Sequence, residues 1–390
     1  MKHIFTVLVA ILVFSQTLSA QSIINKSITH NNETRAYTVF LPSGYTAGAE
    51  LPMVINMHGY TSNAQSQIFY SAFNSVADTA NVIVVYPQGL TRALQNGTSG
   101  AHWNSYFLTD VDDLGFIDTL IDYMYTDYTV DLSRVYATGM SNGGFMSYML
   151  ACELSDRIAA MASVTGVMTD LHFPNCNPTH ATPVMQIHGT SDSTVLFAGS
   201  PGFHPSIDSS VNWWKGFNNC QTSATTNLPD INTTDNTTAS LTVHSQCDDN
   251  VEVHYYVIQD GGHSWPGAFP VATLGNTNQD FSATKVIWDF FAQYQHPSPR
   301  SGTVVSDKEV LSETIIRVFP NPVNDILNIV IENEEIEEIT LFDTMGKTIR
   351  NWQTPNTSVY SISMKDINTG VYFLQIGTKN GTTVQKIIKK

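Results

Sequence analysis

The chain has 390 residues, of which 42% are apolar and 13% charged, a balance typical of globular proteins and a length that favours two folded units. Its 34 acidic and 18 basic residues leave a formal net charge of −16. Because nucleic acids and anionic membranes bind Lys- and Arg-rich surfaces, this charge excludes both as expected partners and favours a neutral substrate.

The first 20 residues have the layout of a secretory signal peptide. Lys2 precedes an apolar run from Ile4 to Phe14, and small residues lead to Ala20, after which we expect cleavage. A membrane anchor is the alternative, but the run is shorter than the roughly 20 apolar residues that a span needs.

Apolar runs that end at Gly, His or Asp predict the strands of the following region. In chain order these runs are "TRAYTVFLP", "LPMVINMHG", "ANVIVVYPQG", "SRVYATGMS", "AAMASVTG", "PVMQIHGTSD" and "VEVHYYVIQDGGH". Helical periodicity lies between several of them, in "LGFIDTLIDYMYTDY", "NGGFMSYMLACEL", "SIDSSVNWWKGF" and "ATKVIWDFFAQYQ". The alternation predicts an α/β domain over residues 21–296, with a mainly parallel sheet flanked by helices. The polar stretch from Asn232 to Ser240 is interpreted as a solvated loop.

Residues 297–312 are polar, carry Pro and Ser, and lack an apolar period, which predicts a linker. Beyond them, residues 313–390 show short alternating strands separated by turn signals such as "PNP", "NTG" and "KNG". This pattern predicts a small all-β sandwich domain at the C-terminus.

Export to an oxidising compartment predicts disulfides between the four cysteines, Cys152, Cys176, Cys220 and Cys247. Three pairings are possible. We favour Cys152 with Cys176 and Cys220 with Cys247, because each disulfide then closes a short loop of the chain and stabilises the fold by about 3 kcal/mol. Free thiols are the alternative.

Ser141 is the predicted nucleophile. It lies in "GMSNG", where Gly139 and Gly143 surround it at the corner between a predicted strand and a predicted helix. A G-x-S-x-G match alone is weak, but the strand-turn-helix context is the one that a nucleophile elbow needs. The alternative is that Ser141 only caps the helix.

A serine hydroxyl needs a base, and His263 is the best candidate because "QDGGH" directly follows a predicted strand. The acid that orients the base is expected between Ser and His in chain order, and Asp192 follows a strand there. A packed histidine and a turn aspartate are the alternatives.

Two main-chain N–H groups are expected to hold the oxyanion. We assign these to Asn142, which follows the nucleophile, and to Tyr60 in "INMHGYTSN". His58 and His188 are interpreted as structural residues that brace their turns.

Trp103 and Trp265 are the predicted flat walls of the substrate site. The acidic cluster "TDVDDLGF" resembles a calcium ligand set, but a helix cap at Asp112 or Asp113 explains it more simply. Zinc-binding spacings are absent from the sequence, so we expect neither a metal nor a cofactor.

Residues from about 22 to 296 resemble the secreted α/β-hydrolase esterases that include feruloyl and acetylxylan esterases of carbohydrate esterase family 1 and the polyhydroxybutyrate depolymerase-like proteins. The matching stretches are "RAYTVFLPSGY", "LPMVINMHGYTSNA", "GMSNGGFMSYMLAC", "IHGTSDSTV" and "GGHSWPG". The resemblance implies a catalytic triad of Ser141, Asp192 and His263. Tyr60 departs from the family, since many relatives carry Cys in this segment.

Residues from about 313 to 390 are similar to the sorting domain of the type IX secretion system of Bacteroidetes, through "VFPNPVNDILNI", "LFDTMGK", "NTGVYFLQI" and the basic end "KIIKK". The resemblance implies export across the outer membrane through that machinery, to the cell surface or the medium, with removal of the domain afterwards as an open alternative. A carbohydrate-binding sandwich is the alternative, although Trp352 and Tyr360 are its only candidate platform.

These observations predict a secreted, monomeric serine esterase that acts on feruloyl or acetyl esters of plant polysaccharide. The alternative enzyme is an extracellular polyester depolymerase that cuts polyhydroxyalkanoates. A serine peptidase and a non-catalytic surface binding protein are further alternatives.

Overall fold

The computed structural model describes residues 22–93, 99–105, 110–305, 313–343, 347–379 and 381–390. The predicted signal peptide, residues 1–20, and residues 306–312 of the predicted linker lie outside these ranges. Within the described ranges, no helix combines the length and the apolar character that crossing a bilayer requires.

Within its described residues, the larger unit contains twelve strands and six α-helices. The strands are β1 (Ser22–His30), β2 (Glu33–Leu41), β3 (Leu51–Met57), β4 (Ile83–Pro87), β5 (Leu90–Ala93), β6 (Ser99–His102), β7 (Val130–Met140), β8 (Ala160–Val164), β9 (Val184–Gly189), β10 (Thr222–Asn227), β11 (Thr238–Ser245) and β12 (Val253–Gln259). The helices are α1 (Ala64–Ser71), α2 (Phe73–Ala80), α3 (Asp113–Tyr128), α4 (Asn142–Glu153), α5 (Ile207–Phe217) and α6 (Ala283–Phe291).

The centre of the large sheet is parallel. β4, β3, β7, β8, β9 and β12 are neighbours in that order and run in the same direction. Antiparallel strands extend both ends, with β2 and β1 beside β4, and β11 and β10 beside β12. β3, β4, β8 and β9 are buried along their whole length, as expected for a sheet covered on both faces.

Helices supply the apolar cover on the two faces of this sheet. One core cluster includes Phe116 of α3, Leu150 of α4 and Val211 of α5, and the other includes Ile68 of α1 and Ile287 of α6. This arrangement confirms the predicted α/β-hydrolase architecture, because the strands that follow one another along the chain alternate with these helices.

The predicted strands and helices of this unit are all present, and the structure adds β1, α1, α2 and the antiparallel pairs β5–β6 and β10–β11. The predicted loop from Asn232 to Ser240 is partly wrong. Its last three residues belong to β11, which pairs with β10 and β12. Threonine suits the paired positions of this hairpin because its hydroxyl can form hydrogen bonds across the strands. Thr225 and Thr242 form such a bond of 2.8 Å.

The acidic cluster before α3 forms a helix cap, as the sequence predicts. Asp112 accepts a hydrogen bond of 2.8 Å from the Gly115 N–H. Asp113 pairs with the buried Arg35 and accepts a bond of 2.6 Å from the Asn104 N–H. Both carboxylates therefore have structural partners.

The C-terminal unit is a β-sandwich, as predicted. Its strands are β13 (Glu313–Phe319), β14 (Ile326–Glu332), β15 (Ile336–Phe342), β16 (Thr348–Thr357), β17 (Val359–Ser363), β18 (Gly370–Thr378) and β19 (Gly381–Lys389). One layer is β13, β14 and β17, and the other is β16, β15, β18 and β19. Trp352 and Tyr360 pack against its core, so they do not form an open platform.

The sandwich is joined to the larger unit through its first layer. β13 pairs antiparallel with β1, from Ser22 opposite Arg317 to Lys26 opposite Glu313. The large sheet therefore continues into the sandwich and contains 13 strands. The sequence patterns predict neither β1 nor this pairing, which joins segments far apart in the chain.

Both disulfides are present in the pairing favoured from the sequence. Cys152 at the end of α4 is bonded to Cys176, and Cys220 after α5 is bonded to Cys247. Each bridge closes a loop of a few tens of residues, with sequence separations of 24 and 27.

Candidate active site

Ser141 lies at a sharp turn between β7 and α4, with φ of 55° and ψ of −120°. This left-handed φ is unfavourable for a residue with a side chain, so the surrounding fold must hold it. Its N–H donates a bond of 2.8 Å to the Val164 carbonyl of β8. Ser141 makes no side-chain cap to α4, and the alternative that it serves only as a helix cap is therefore wrong.

The two glycines around Ser141 are required by close backbone contacts. A Cβ on Gly139 would lie 2.6 Å from the Met57 carbonyl oxygen, and one on Gly143 would lie 2.2 Å from the same atom. Real Cβ atoms do not approach so closely. The tight turn therefore exists because β3 and α4 meet without side chains between them.

Asp192 and His263 meet at the ends of two neighbouring parallel strands. Asp192 follows β9, and His263 follows β12. The His263 Nδ1 lies 2.7 Å from the Asp192 Oδ2, and both side chains are almost fully buried. A hydrogen bond at this atom leaves Nε2 of the same ring available to take a proton.

Asp192 is held as an ionised carboxylate. Its Oδ1 accepts bonds of 2.8 Å from the Thr194 and Val195 N–H groups, and its Oδ2 lies 3.3 Å from the His188 Nε2. Burial opposes ionisation, but hydrogen bonds from His188 and His263 outweigh it and hold the pKa of Asp192 well below its usual value.

His188 was predicted to be structural, and it also contacts the candidate acid. Its Nε2 lies 2.8 Å from the Val195 carbonyl oxygen, which ties the loop after β9 to the strand. The contact with Asp192 was not predicted. The sequence feature that indicates this contact is the spacing of His188 and Asp192, which are four residues apart in "IHGTSD". This spacing lets both side chains meet in the loop after β9.

Ser141 and His263 line one cavity with a volume of about 520 Å³. Ser141 is 9% exposed. Within the described residues, no hydrogen bond joins Ser141 Oγ to His263 Nε2, although such bonds often tighten only when substrate binds. The structure thus places Ser141 and His263 in the lining of one cavity and joins His263 to Asp192 by a hydrogen bond.

The predicted oxyanion donors lie beside Ser141. A Cβ on Gly59 would come 3.4 Å from the Ser141 Cβ, so the loop that carries Tyr60 touches the nucleophile. Asn142 is the first residue of α4, and its N–H has no acceptor within the helix. The Asn142 side chain is occupied elsewhere, since its Oδ1 accepts a bond of 2.7 Å from the Trp103 N–H.

His58 fixes the oxyanion loop as a neutral residue, in agreement with its predicted structural role. Its Nδ1–H donates to the Gly59 carbonyl at 2.8 Å, and its Nε2 accepts from the Gly89 N–H at 3.0 Å. Burial lowers the pKa of His58 to about 4. The two bonds keep the loop in place next to Ser141.

The prediction that Trp103 and Trp265 form the substrate walls is wrong. They are only 0% and 1% exposed and do not line the cavity. The Trp103 Nε1–H donates to the His58 carbonyl at 3.0 Å, and the Trp265 Nε1–H donates to Thr284 Oγ1 at 3.0 Å. Both indoles are therefore buried core residues with satisfied donors.

The aromatic walls come from residues that the sequence analysis did not select as walls, although it assigned Tyr60 to the oxyanion site through its main-chain N–H. Tyr60, Phe69, Tyr70 and Phe269 line the cavity. Phe69 and Phe269 have ring centroids 5.0 Å apart, and Tyr70 and Phe269 have centroids 5.2 Å apart. Little in the sequence indicates that Phe69, Tyr70 and Phe269 form these walls. Their segments, "QSQIFYS" and "PGAFP", are short and have no periodicity that points to a site.

Comparison with protein families supports the predicted resemblance in both units. The phospholipase/carboxylesterase family matches residues 46–224, and the secretion system C-terminal sorting domain matches residues 317–390. The second match also confirms that the sandwich resembles a sorting domain.

Curated relatives match the larger unit. A bifunctional acetylxylan esterase/xylanase of Neocallimastix patriciarum is 26% identical over 267 residues, covering 68% of this chain and 34% of the relative. Feruloyl esterase B of Piromyces equi is 28% identical over 274 residues, with coverages of 67% and 46%. Poly(3-hydroxyalkanoate) depolymerase C of Paucimonas lemoignei is 31% identical over 131 residues, with coverages of 32% and 30%. The chain thus spans less than half the length of these three relatives.

Proposed function

We propose that the chain is a secreted serine carboxylic-ester hydrolase that works through an acyl-enzyme. One observation carries the proposal: His263, whose Nδ1 lies 2.7 Å from the Asp192 carboxylate, lines the same cavity as Ser141, whose φ of 55° is strained. Relatives named as esterases support the same reaction class.

In the acylation step, Ser141 Oγ attacks the ester carbonyl carbon, and His263 Nε2 accepts the hydroxyl proton. The ionised Asp192 stabilises the imidazolium that forms, because it accepts the Nδ1–H bond. The imidazolium then gives its proton to the leaving alcohol as the carbon–oxygen bond breaks. Water, deprotonated by His263, hydrolyses the acyl-enzyme and regenerates Ser141.

The negative oxygen of each tetrahedral intermediate is held by the main-chain N–H groups of Tyr60 and Asn142. The N-terminus of α4 adds partial positive charge at the same point. Removing one such donor from a serine hydrolase costs about 3 kcal/mol of transition-state stabilisation.

The acyl group is proposed to be feruloyl or acetyl, carried on plant polysaccharide. The rings of Phe69, Tyr70 and Phe269 offer flat apolar contacts for an aryl acid. The cavity of about 520 Å³ is within the range of about 300–1,000 Å³ in which proteins bury small organic ligands. Polyester cleavage is the second candidate, favoured by the similarity to a polyhydroxyalkanoate depolymerase.

Export is proposed to use the type IX secretion machinery, with residues 317–390 as the sorting signal and residues 1–20 as the signal peptide. The family match of the sandwich supports this route. Under this proposal the enzyme acts at the cell surface or in the medium, where polymeric esters are accessible.

The proposal is tested by comparing wild-type protein with Ser141→Ala and Ser66→Ala on p-nitrophenyl acetate. Ser66 lines the same cavity but lies in α1 and not at the turn between β7 and α4, so it serves as the control. We expect a loss of about 10⁴-fold or more in kcat for Ser141→Ala and little change for Ser66→Ala. Retained turnover in Ser141→Ala would remove Ser141 from the mechanism.

Three substrates distinguish the acyl groups. Wild-type protein is assayed side by side on methyl ferulate, acetylated xylan and a polyhydroxybutyrate film. The proposal expects turnover on ferulate or acetyl esters. Activity on the film alone would identify the polyester depolymerase instead.

A further inference from the structure

Residues 101–105 contact both of the elements that carry the proposed oxyanion donors. They comprise the last two residues of β6 and the three that follow, whereas Tyr60 lies in the loop after β3 and Asn142 begins α4. We call residues 101–105 the bridge segment. Its Trp103 is fully buried and does not line the cavity, so it can affect the site only through the residues that it contacts.

The bridge segment holds the loop of Tyr60 at two points. The Thr61 N–H donates to the Ala101 carbonyl at 2.7 Å, and the Trp103 Nε1–H donates to the His58 carbonyl at 3.0 Å. The rings of Trp103 and His58 are also in contact, with centroids 5.1 Å apart. Tyr60 lies between the two bonded positions, so its main-chain N–H is held from both sides.

The same segment holds the side chain of Asn142. The Trp103 N–H donates to the Asn142 Oδ1 at 2.7 Å, and the Asn142 Nδ2 donates to the Trp103 carbonyl at 3.1 Å and to Ser105 Oγ at 2.9 Å. All three residues are buried. A buried amide whose donors and acceptor are both engaged is fixed in one orientation. Because this amide belongs to the proposed donor residue, its bonds also fix the direction of the Asn142 main-chain N–H.

A buried ion pair anchors the bridge segment on its far side. The Asn104 N–H donates to the Asp113 Oδ2 at 2.6 Å, and Asp113 pairs with Arg35. Both charged side chains are only 1% exposed. A buried ion pair is often no more stabilising than apolar residues of the same volume, so a positional role explains this pair better than a gain in stability.

We propose that Trp103 is a positioning residue that sets the separation and direction of the two oxyanion donors. Its indole holds the loop of Tyr60, and its main chain holds Asn142. This inference rests on the proposed ester hydrolysis. Donors act on an oxyanion at about 2.7–3.1 Å, and a displacement of about 1 Å costs on the order of 100-fold in rate. Because the oxyanion exists only in the transition state and the intermediates, a loosened bridge lowers kcat and leaves KM nearly unchanged.

The test uses Trp103→Phe in the full chain, which removes the indole donor and keeps an aromatic ring. We expect kcat on p-nitrophenyl acetate to fall by about 10- to 100-fold with KM within about threefold of wild type. The inhibition constant of phenylboronic acid, which forms a tetrahedral adduct with a serine hydroxyl, is expected to rise by about tenfold. A purely structural residue would not weaken this adduct selectively.

Trp214→Phe is the matched control. Trp214 is as buried as Trp103, and its Nε1–H has no acceptor within the described residues. The substitution therefore removes the same volume from the core without removing a hydrogen bond. We expect it to keep the wild-type kcat and the wild-type inhibition constant. An equal fall in kcat for both variants would overturn the proposal, because the loss would then report a loosened core.

An unchanged kcat and inhibition constant in Trp103→Phe also overturn the proposal, as does a loss that appears in KM alone. Circular dichroism checks that the variants fold. Should Trp103→Phe not fold, Asn142→Ala decides, because it breaks the three side-chain bonds of the bridge and keeps the indole in place. That variant must lower kcat by about tenfold at a nearly constant KM, and a wild-type kcat contradicts the proposal.

The outcome is separable from that of the proposed function. If Ser141→Ala retains turnover on the acetate ester, ester hydrolysis by Ser141 is refuted and the inference fails with it. If Ser141→Ala is inactive and Trp103→Phe keeps the wild-type kcat and inhibition constant, only the positioning role of Trp103 is refuted.

Discussion

Gly143→Ala tests whether close backbone contact at the nucleophile turn sets the position of Ser141. The new Cβ would lie 2.2 Å from the Met57 carbonyl oxygen and 2.8 Å from that of His58. Since Cβ atoms essentially never come within 3.0 Å of such an atom, the turn and β3 must separate by about 0.8 Å. Misplacement of about 1 Å costs on the order of 100-fold in rate, and overpacking costs about 1–3 kcal/mol of stability.

The assay is kcat/KM on p-nitrophenyl acetate, with the free energy of unfolding from urea titration. Gly216→Ala is the matched control, because Gly216 lies in α5 and a Cβ there meets nothing within 4 Å. Alanine in a helix is favoured over glycine by up to about 1 kcal/mol, so the control should be as active as wild type and no less stable. If Gly143→Ala behaves like Gly216→Ala, the steric reasoning about the turn is refuted.

Three further predictions concern the acid, the buried histidines and a disulfide. Asp192→Asn is expected to lower kcat by about 10⁴-fold. Because the pKa of Asp192 is lowered in the folded protein, its ionised carboxylate stabilises the fold fully above about pH 4, and this stabilisation is lost as the pH falls further. The difference in Tm between wild type and Asp192→Asn should therefore narrow between pH 7 and pH 3. Burial lowers the pKa of His58, His172 and His180 to about 4. Below about pH 6.5 the unfolded chain therefore binds more protons than the folded chain, and Tm should fall from pH 7 to pH 5. An equal or higher Tm at pH 5 would contradict this. Replacing Cys152 and Cys176 together by Ser should cost about 3 kcal/mol in urea unfolding, and a loss near zero would show that this bridge does not constrain the unfolded chain.

The parts of the fold that sequence patterns predicted are those encoded locally. Strands such as β3 and β9 are buried along their whole length and consist mainly of apolar residues, and a glycine stands at the end of each or just after it, at Gly59 and Gly189. Ser141, Asp192 and His263 follow such strands directly. Because parallel strands end at the same edge of a sheet, their order along the chain was enough to predict that they meet.

The walls of the site could not be predicted in the same way. Trp265 lies two residues after His263 in the chain, but the direction of an indole depends on the packing around it, for Trp265 as for Trp103. In each case a buried acceptor, the His58 carbonyl or Thr284 Oγ1, holds the ring in the core. Phe69 was missed because α1 has only eight residues and mixes polar with apolar positions.

The contribution of the sandwich to the cavity, through Phe373, was also beyond sequence reasoning. Phe373 is separated from Ser141 by more than half of the chain. The sequence pattern of its strand, β18, is that of an ordinary sandwich strand. The two units are brought together by the ladder between β1 and β13 and by contacts such as that of Phe69 with Phe373, whose ring centroids lie 4.0 Å apart. Contacts of this kind depend on the pairing of distant strands, which the local pattern of either strand does not specify.

The most direct test of the account is to locate the covalent adduct of a fluorophosphonate probe by mass spectrometry of the full chain. The account predicts a single adduct on the peptide that contains Ser141, and loss of this adduct in His263→Ala, since the hydroxyl then has no base. An adduct on a different residue, or equal labelling of Ser141 in His263→Ala, would contradict it.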